Sequence, residues 1–307
     1  MTPEPDADPA DFTRAGNHAA VAPVFAQKFG RQPLPVTDPH ATINDLIFAR
    51  MIDPEWTALE RKLVDKVTAK EEALRLFPGL RIAATLAAID MDEVDSPIEL
   101  FDRLSGFIGS DAIAKPSQAS GGTVFLRHVA GPANLAALHA LATTDYAAVM
   151  REMQYAGLPR RVIVEALIPT ADGLPPDDYK FHCINGEPLL CQIDHARFGQ
   201  PWGRIFRVPG FEPMDGDDGL DWPDSLQRTA PQQIAAMIAA ARALAAPFDY
   251  VRVDLYNGLD GIYFGELTFT PSASLGIAPS KHGSHRVSPT HRLFSRILMD
   301  ALRTTAR

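Results

Sequence analysis

The spacing of apolar residues divides the chain into helical and extended stretches. Apolar side chains recur every three or four residues over residues 44–76, which predicts helices there. The alanine-rich residues 134–150 predict another helix, and Pro231–Ala245 continues the pattern with a proline near the first turn. Leucines and isoleucines around Ile297 predict a helix near the carboxyl terminus. Helices therefore alternate with extended segments along the chain.

Short apolar runs that end at turn residues predict the strands. These stretches are residues 81–89, 111–129, 161–168, 179–197 and 250–269. The second of them reads as a strand, a glycine-rich turn and another strand. The pair Asn185-Gly186 predicts a hairpin in the fourth, because this dipeptide suits a two-residue turn. The fifth is a second hairpin, with its turn at residues 257–261.

Prolines recur through residues 1–43, where only residues 19–29 have a helical pattern. We interpret residues 1–43 as a loosely ordered, proline-rich arm. Residues 44–108 then form a helical amino-terminal region.

Composition excludes several classes of function. The 307 residues are 46% hydrophobic, which is enough for a large core, and the net charge of −9 disfavours nucleic-acid binding. No apolar run approaches the roughly 20 residues of a membrane span. The acidic amino terminus lacks the pattern of a signal peptide. Two cysteines are too few for a disulfide framework, so a reducing cytoplasm is expected.

The second hairpin carries the most informative polar pattern. Side chains alternate along a strand, so Arg252 and Asp254 share one face, and Glu266 and Thr268 share a face of the return strand. If a five-residue loop pairs Tyr256 with Ile262, then Arg252 faces Glu266 and Asp254 faces Phe264. The two carboxylates would be diagonal neighbours about 7–8 Å apart and could converge on magnesium. A cross-strand Arg252–Glu266 ion pair beside a solvated Asp254 is the alternative.

The glycine-rich turn is a candidate phosphate site. Lys115 ends a strand, and Ser120, Gly121 and Gly122 follow, so small residues permit a loop whose amides face phosphate oxygens. An ordinary hairpin turn explains the same residues. Lys66 lies in a helical stretch, where a solvated helix face is the simpler interpretation.

Two further groups of polar residues lie on predicted strands. Glu165 interrupts an otherwise apolar strand, and a buried carboxylate is costly unless it is paired or bound. In the first hairpin, Asp178 and Lys180 share a face, and Arg197 lies at the far end of the return strand.

Taken in order, these motifs resemble the ATP-grasp superfamily. DKVTAK (65–70) resembles its Asp-Lys signature, and AKPSQASGG (114–122) resembles its second lysine and glycine-rich lid. VIVEALI (162–168) resembles the hinge strand that meets the adenine. The segment from 253 to 276 resembles the paired metal-binding strands.

Within this superfamily the chain is most similar to the TupA-like group, which is associated with teichuronopeptide-type cell-surface polymers. DDYKFHCING, VRVDLY and FGELTFTP carry this similarity, and the whole resemblance covers roughly residues 43–278. It implies an α+β ATP-grasp fold, in which two α/β lobes with antiparallel sheets clasp the nucleotide behind a reduced helical amino-terminal region. The lid lobe would span residues 109–168, and the metal-binding catalytic lobe, with its carboxyl-terminal helix, residues 169–307.

The resemblance also implies a role for each candidate residue. Lys66 and Lys115 would contact ATP phosphates beneath a lid formed by Ser120, Gly121 and Gly122. Glu165 would help to hold the adenine and ribose, Asp178 would lie near the ribose or phosphates, and Lys180 near the γ-phosphate. Arg197 and Arg252 would stabilise the acyl phosphate or the incoming carboxylate. Asp254, Glu266 and Thr268 would bind Mg²⁺, although many ATP-grasp enzymes carry asparagine at the position of Thr268.

The implied activity is an ATP- and Mg²⁺-dependent carboxylate–amine ligase that acts through an acyl phosphate and releases ADP and phosphate. Its partners would be small-molecule carboxylates and amines, including polymer-linked ones, in cell-surface polymer or natural-product biosynthesis. Two alternatives stay open. The same nucleotide site could serve a kinase of a hydroxyl or sugar, or a non-catalytic nucleotide-binding module of an assembly complex.

Overall fold

Helices build the amino-terminal part of the protein. A computed structural model describes residues 12–195, 201–214, 223, 229–274 and 288–305. The first four helices are α1 (Arg14–Phe29), α2 (Ile43–Met51), α3 (Ala58–Val64) and α4 (Ala69–Leu76). Helix α1 begins before the predicted residue 19, because the Thr13 side chain accepts from the amide of Gly16 at 3.1 Å and caps it. Phe25 packs against Phe48 of α2, so much of the expected loose arm is an ordered part of the core.

A small antiparallel sheet follows, with strand order β1-β4-β2-β3. Its strands are β1 (Thr85–Asp90), β2 (Ala112–Pro116), β3 (Val124–Phe125) and β4 (Arg161–Ala166). Helices α5 (Pro97–Leu104) and α6 (Ala136–Thr143) cover one face, where Leu100 and Leu138 pack on Val162 and Val164. Because β1 pairs with β4, this sheet also includes residues 85–90, which precede the expected start of the lid lobe at 109.

The predicted helix over residues 134–150 is interrupted. It divides into α6 and α7 (Tyr146–Met150), since the Asp145 side chain accepts from the amide of Ala148 at 3.0 Å and starts a new helix. The break turns the Tyr146 side chain into the interior.

A larger antiparallel sheet forms the second lobe, with strand order β10-β9-β5-β6-β7-β8. Its strands are β5 (Asp178–Ile184), β6 (Glu187–His195), β7 (Trp202–Arg207), β8 (Glu212–Pro213), β9 (Tyr250–Gly258) and β10 (Gly261–Thr268). The predicted two-residue turn between β5 and β6 is confirmed, with positive φ at Asn185 (48°) and Gly186 (81°).

Helices lie on both faces of the large sheet. Helix α8 (Pro231–Ala245), confirmed at its predicted position, packs on one face with α3 and α4 against apolar residues such as Phe181 and Val253. On the other face, α9 (Pro289–Thr305) covers one end, where Phe294 contacts His182 with a ring-centroid distance of 4.8 Å. Lys180 shares the face of His182 but lies two residues along the strand, so the polar site occupies the rest of that face.

The predicted register of the β9–β10 hairpin is wrong. Gly258 pairs with Gly261, and Tyr256 faces Tyr263 rather than Ile262, because the turn is two residues long instead of five. An irregularity at Gly265 then shifts the register once more. As a result Asp254 faces Glu266 directly and Arg252 faces Thr268. The inference that both carboxylates share one face is retained, with the two residues closer than expected.

Only glycine fits at this bulge. A β-carbon on Gly265 would lie 2.8 Å from both the carbonyl oxygen of Asp254 and a ring carbon of Tyr256. We expect Gly265→Ala to lower the free energy of unfolding by about 1–3 kcal/mol, because the hairpin must move apart. Denaturant unfolding measures this, with Gly106→Ala as the control, since a β-carbon on Gly106 meets nothing within 4 Å. Equal stabilities for the two variants would contradict the expectation.

The described part of the chain contains no helix with the length and apolar character needed to cross a membrane.

Candidate active site

Arg252 is the centre of the polar cluster on the large sheet. Its Nε donates to Oδ1 of Asp254 at 2.7 Å, and its Nη2 donates to Oδ2 at 2.6 Å. Nη2 also lies 3.3 Å from Oε1 of Glu266 and 3.1 Å from the hydroxyl of Thr268. The structure therefore brings together both predicted metal carboxylates, Thr268 and Arg252. The Arg252–Glu266 ion pair of the alternative interpretation is present as well, but Asp254 is buried and not solvated.

The two carboxylates of this cluster differ in their electrostatics. Burial raises the pKa of Asp254 to about 7; Glu266 adds to the rise, and Arg252 opposes it. Burial acts in the same direction on Glu266, but Lys66, Arg252 and Lys115 together lower its pKa to about 2. Lys115 belongs to β2 of the small sheet, and Lys66 lies between α3 and α4 beside the glycine-rich loop, so Glu266 lies within the field of cations from outside its own sheet.

Lys180 lies beside this cluster on β5. It forms ion pairs with Asp194 of β6 and, at 3.6 Å, with Asp178. Its strand neighbour across the sheet is Asp254. Asp178 also lies near the hydroxyl of Tyr256, where burial and the negative charge of Asp178 raise the pKa of Tyr256. The predicted Asp178–Lys180 pair is therefore adjacent to the carboxylates, within a row of alternating charges.

Glu165, on β4 of the small sheet, forms ion pairs with two lysines. Its Oε2 lies 2.6 Å from Nζ of Lys115, and its Oε1 lies 2.6 Å from Nζ of Lys70. Burial by itself would raise the pKa of Glu165, but the two lysines hold it below its ordinary value. The side chain of Glu165 is thus a counter-ion for lysines, and its expected contact with adenine and ribose stays a prediction for the end of β4.

Lys66 contacts the glycine-rich loop directly. Its Nζ donates to the carbonyl oxygen of Ala119 at 2.6 Å, and its backbone amide donates to the carbonyl of Ser117. Burial lowers the pKa of Lys66, while Glu266 opposes that shift. Gly121 (φ 80°) and Gly122 (φ 73°) adopt left-handed backbone conformations that favour glycine. The predicted lid loop and Lys66 therefore lie together.

The lysines on the lid side should repel one another once Glu165 loses its charge. We expect Glu165→Gln to lower the free energy of unfolding of the free protein by about 2 kcal/mol, because charged hydrogen bonds to Lys70 and Lys115 are lost. Added ATP or pyrophosphate should restore much of this, since phosphate oxygens replace the missing negative charge. Thermal unfolding with and without these anions measures both effects.

Glu71→Gln is the matched control, because Glu71 is 73% exposed and pairs with Arg75 on the surface of α4. It should change stability little. A Glu165→Gln variant as stable as this control would show that the lysines need no counter-ion.

Sequence reasoning missed three members of the site. Lys70 lies in a stretch whose pattern predicts only a helix, yet its Nζ lies 2.6 Å from Oε1 of Glu165. Asp194 on β6 and Tyr256 on β9 lie on the same face of the sheet as Lys180 and Asp254. The alternation of side chains along these strands could have identified both residues. Arg197 lies outside the described residues.

A strained turn follows β10. Ser272, Ala273 and Ser274 have φ of 55°, 48° and 65°, a left-handed conformation that costs energy for residues other than glycine. The Asn44 side chain of α2 donates to the carbonyl oxygen of Ser274 at 2.7 Å. Helix α2 therefore fixes the segment that follows Glu266 and Thr268 in the chain.

The donor set fits magnesium and a nucleotide triphosphate. Asp254 and Glu266 supply carboxylate oxygens, and within the described part of the chain no hydrogen bond engages Oε2 of Glu266, whose side chain is 38% exposed. No group of three or more His, Cys, Asp or Glu suited to a metal occurs among the described residues, so phosphate and water oxygens would complete the shell. Lys66, Lys70 and Lys115 provide the positive charge that phosphates require.

Two antiparallel sheets that face each other across lysines and paired carboxylates define an ATP-grasp protein. The profile of the family described as TupA-like ATPgrasp matches residues 108–282, more than half of the 307-residue chain. The chain belongs to this family.

Solved structures with a similar fold are distant. The ATP-grasp ligase PsnB, in complex with a minimal precursor, is 16% identical with a TM-score of 0.39, and the match covers 81% of this chain and 63% of PsnB. D-alanine–D-alanine ligase from Bacillus anthracis is 18% identical with a TM-score of 0.37, covering 80% of this chain and 68% of the ligase. This chain thus spans somewhat less than two thirds of PsnB. No curated protein matches the sequence.

Proposed function

We propose that the protein is an ATP- and Mg²⁺-dependent carboxylate–amine ligase that forms an acyl phosphate and releases ADP and phosphate. The observation that carries this proposal is the placement of Glu266. It lies in the field of Lys66, which contacts the glycine-rich loop, and of Lys115 on the small sheet, and it lies within 3.3 Å of Arg252 on its own lobe. A bound γ-phosphate between the lobes would meet cations on one side and magnesium ligands on the other.

The lysines would bind and orient the triphosphate. Phosphoryl transfer needs little covalent help from a protein, so positioning and charge neutralisation account for most of the catalysis. Lys66 and Lys115 would neutralise the phosphates, with Lys180 near the γ-phosphate. Magnesium, held by Asp254 and Glu266, would supply further neutralisation of the phosphate oxygens, and Thr268 would orient Glu266 through their 3.1 Å hydrogen bond.

Arg252 has one free nitrogen for the substrate. Its Nε and Nη2 are engaged by Asp254, Glu266 and Thr268, whereas Nη1 makes no hydrogen bond within the described residues. We propose that Nη1 holds the substrate carboxylate and then the negative charge that develops on its carbonyl oxygen. Arg197 is a second candidate for this role.

The reaction balances in two steps. A carboxylate oxygen of the substrate attacks the γ-phosphorus, and the bond to the β-phosphate oxygen breaks to release ADP. The amine then attacks the acyl carbon, the acyl–oxygen bond breaks to release phosphate, and the amine loses a proton to solvent. The loop of Ser120, Gly121 and Gly122 would exclude water, because acyl phosphates hydrolyse.

The substrates are proposed to be a small carboxylate and an amine, one of them polymer-linked, in cell-surface polymer or natural-product biosynthesis. ATP is an intracellular nucleotide, and both cysteines are free and buried, which supports a reducing cytoplasm as the place of action.

An isotope experiment tests the chemistry. The protein is incubated with Mg²⁺, ATP and a panel of ¹⁸O-carboxylates and amines, and ADP and phosphate are analysed. The proposal expects ADP that requires both substrates and one ¹⁸O in the released phosphate. ADP that forms with a hydroxyl compound and no amine would indicate a kinase. Nucleotide binding without turnover across the panel would indicate a binding module.

A further inference from the structure

Glu152 is a buried carboxylate that the proposed reaction does not use. It lies two residues beyond the end of α7, after Arg151, whose left-handed backbone (φ 54°) ends the helix, and only 4% of Glu152 is exposed. No ion pair to Glu152 exists in the described ranges; the Arg151 guanidinium donates instead to Asn17 at 3.1 Å. A buried carboxylate without a cation is costly, so hydrogen bonds must satisfy it.

Three side chains donate to this carboxylate. The hydroxyl of Tyr146 donates to Oε2 at 2.9 Å, and the hydroxyl of Thr270 donates to Oε1 at 2.5 Å. The amide of Gln154 donates to Oε1 at 3.4 Å and also to the Thr270 hydroxyl. Burial raises the pKa of Glu152, and these three donors oppose the rise by favouring the ionised form.

One end of this cluster reaches the glycine-rich loop. The hydroxyl of Tyr146 lies next to Ser120, whose backbone amide and side chain oppose the rise that burial causes in the pKa of Tyr146. Ser120 directly precedes Gly121 and Gly122, whose left-handed backbones define the loop. The Tyr146 hydroxyl is therefore a neighbour of the loop as well as a donor to Glu152.

The other end reaches the metal strand. Thr270 lies two residues beyond Thr268, the last residue of β10. Its carbonyl oxygen accepts a hydrogen bond from the amide of Ala273 at 3.0 Å. Thr270 is 1% exposed, so its hydroxyl has no access to water as an alternative partner. A displacement of the loop would thus be transmitted through buried groups to the strand that carries Glu266.

We propose that Glu152 is a positioning residue that links the glycine-rich loop, through Tyr146 and Ser120, to the metal-binding strand, through Thr270. The role of this link rests on the proposed function: the loop would close over the phosphates only when the strand that carries Glu266 is in place. The link itself is a property of the free protein.

Hydrogen exchange in the nucleotide-free protein tests the link. Thr270→Val keeps the shape of the side chain and removes the donor at the end of the cluster remote from the loop. We expect amide exchange in residues 118–122 to rise by about fivefold. The loss of one buried hydrogen bond lowers the free energy of local opening by an amount that corresponds to a change of this size. Tyr146→Phe should raise exchange to a similar degree, and the double variant should exceed neither single variant appreciably.

Two controls separate a link from general loosening. Thr270→Ser keeps the hydroxyl and should retain the exchange of the original protein. Tyr155→Phe removes a hydroxyl from a ring 5.2 Å from that of Tyr146 and should leave the loop unchanged. Unchanged loop exchange in Thr270→Val, or effects of Thr270→Val and Tyr146→Phe that multiply, would overturn the proposal.

Calorimetry with Mg²⁺ and ATP then tests the purpose of the link. Thr270→Val and Tyr146→Phe should each weaken Mg²⁺-dependent affinity by about fivefold, with Tyr155→Phe unaffected. If the original protein binds no ATP, the proposed function fails, whereas the exchange data still decide whether the link exists. Altered loop exchange with unaltered ATP affinity would overturn the functional part of the proposal.

Discussion

Replacing Glu266 with glutamine should lower ADP formation by on the order of 1,000-fold, because the change removes a magnesium ligand while keeping the size of the side chain. Glu266 is the carboxylate with a pKa of about 2, so it is ionised at any working pH and ready to bind a cation. Magnesium-dependent ATP affinity, measured by calorimetry, should fall with it. Affinity without magnesium should change much less, since the lysines of the lid side remain.

Glu187→Gln is the matched control for this prediction. Glu187 lies at the start of β6, where its carboxylate is exposed and pairs with Arg242. It should leave both turnover and magnesium dependence unchanged. A Glu266→Gln variant that retains magnesium-dependent ATP binding would show that the carboxylate pair is a structural ion cluster and would remove the basis of the proposed chemistry.

Replacing Arg252 with methionine should lower the free energy of unfolding by about 3–5 kcal/mol, the cost of breaking a buried ion pair from one side. Asp254 would lose both hydrogen bonds to its carboxylate oxygens, and 3% exposure leaves it little water. Burial and the nearby Glu266 already raise the pKa of Asp254, so the loss of Arg252 would favour its neutral form further. Denaturant unfolding measures the change.

The double variant Arg252→Met/Asp254→Asn should recover part of the lost stability, because the uncompensated charge is gone. Arg242→Met is the control, since Arg242 pairs with Glu187 on the surface and should cost at most about 1 kcal/mol. Equal costs for the two arginine variants would show that the cluster is open to solvent.

The order of helices and strands followed from local patterns. Helix α8, helix α9 and the Asn185-Gly186 turn occur where spacing and turn chemistry placed them. Local patterns gave the wrong result where a single residue ends a helix or shifts the pairing of two strands. Asp145 divides a predicted helix by capping a new one, and Gly265 shifts the register of a hairpin.

Part of the candidate site could likewise be predicted from local patterns in the sequence. Alternation along β9 and β10 predicted that Arg252, Asp254 and Glu266 share a face. It did not predict the clamp that Arg252 forms, because that depends on the bulge. Lys70 was missed because a lysine on a short helix is indistinguishable from a solvated one until the helix is placed beside β4.

The sequence by itself determined the types of element, the shared face of the acidic hairpin and the resemblance that the family match bears out. These depend on neighbours within a few residues, or on motifs that survive in order. Only the tertiary structure decided which cations meet Glu165 and Glu266, and that Glu152 joins Tyr146 to Thr270. Those contacts join residues far apart in the chain, and their formation depends on how the two sheets and the amino-terminal helices pack.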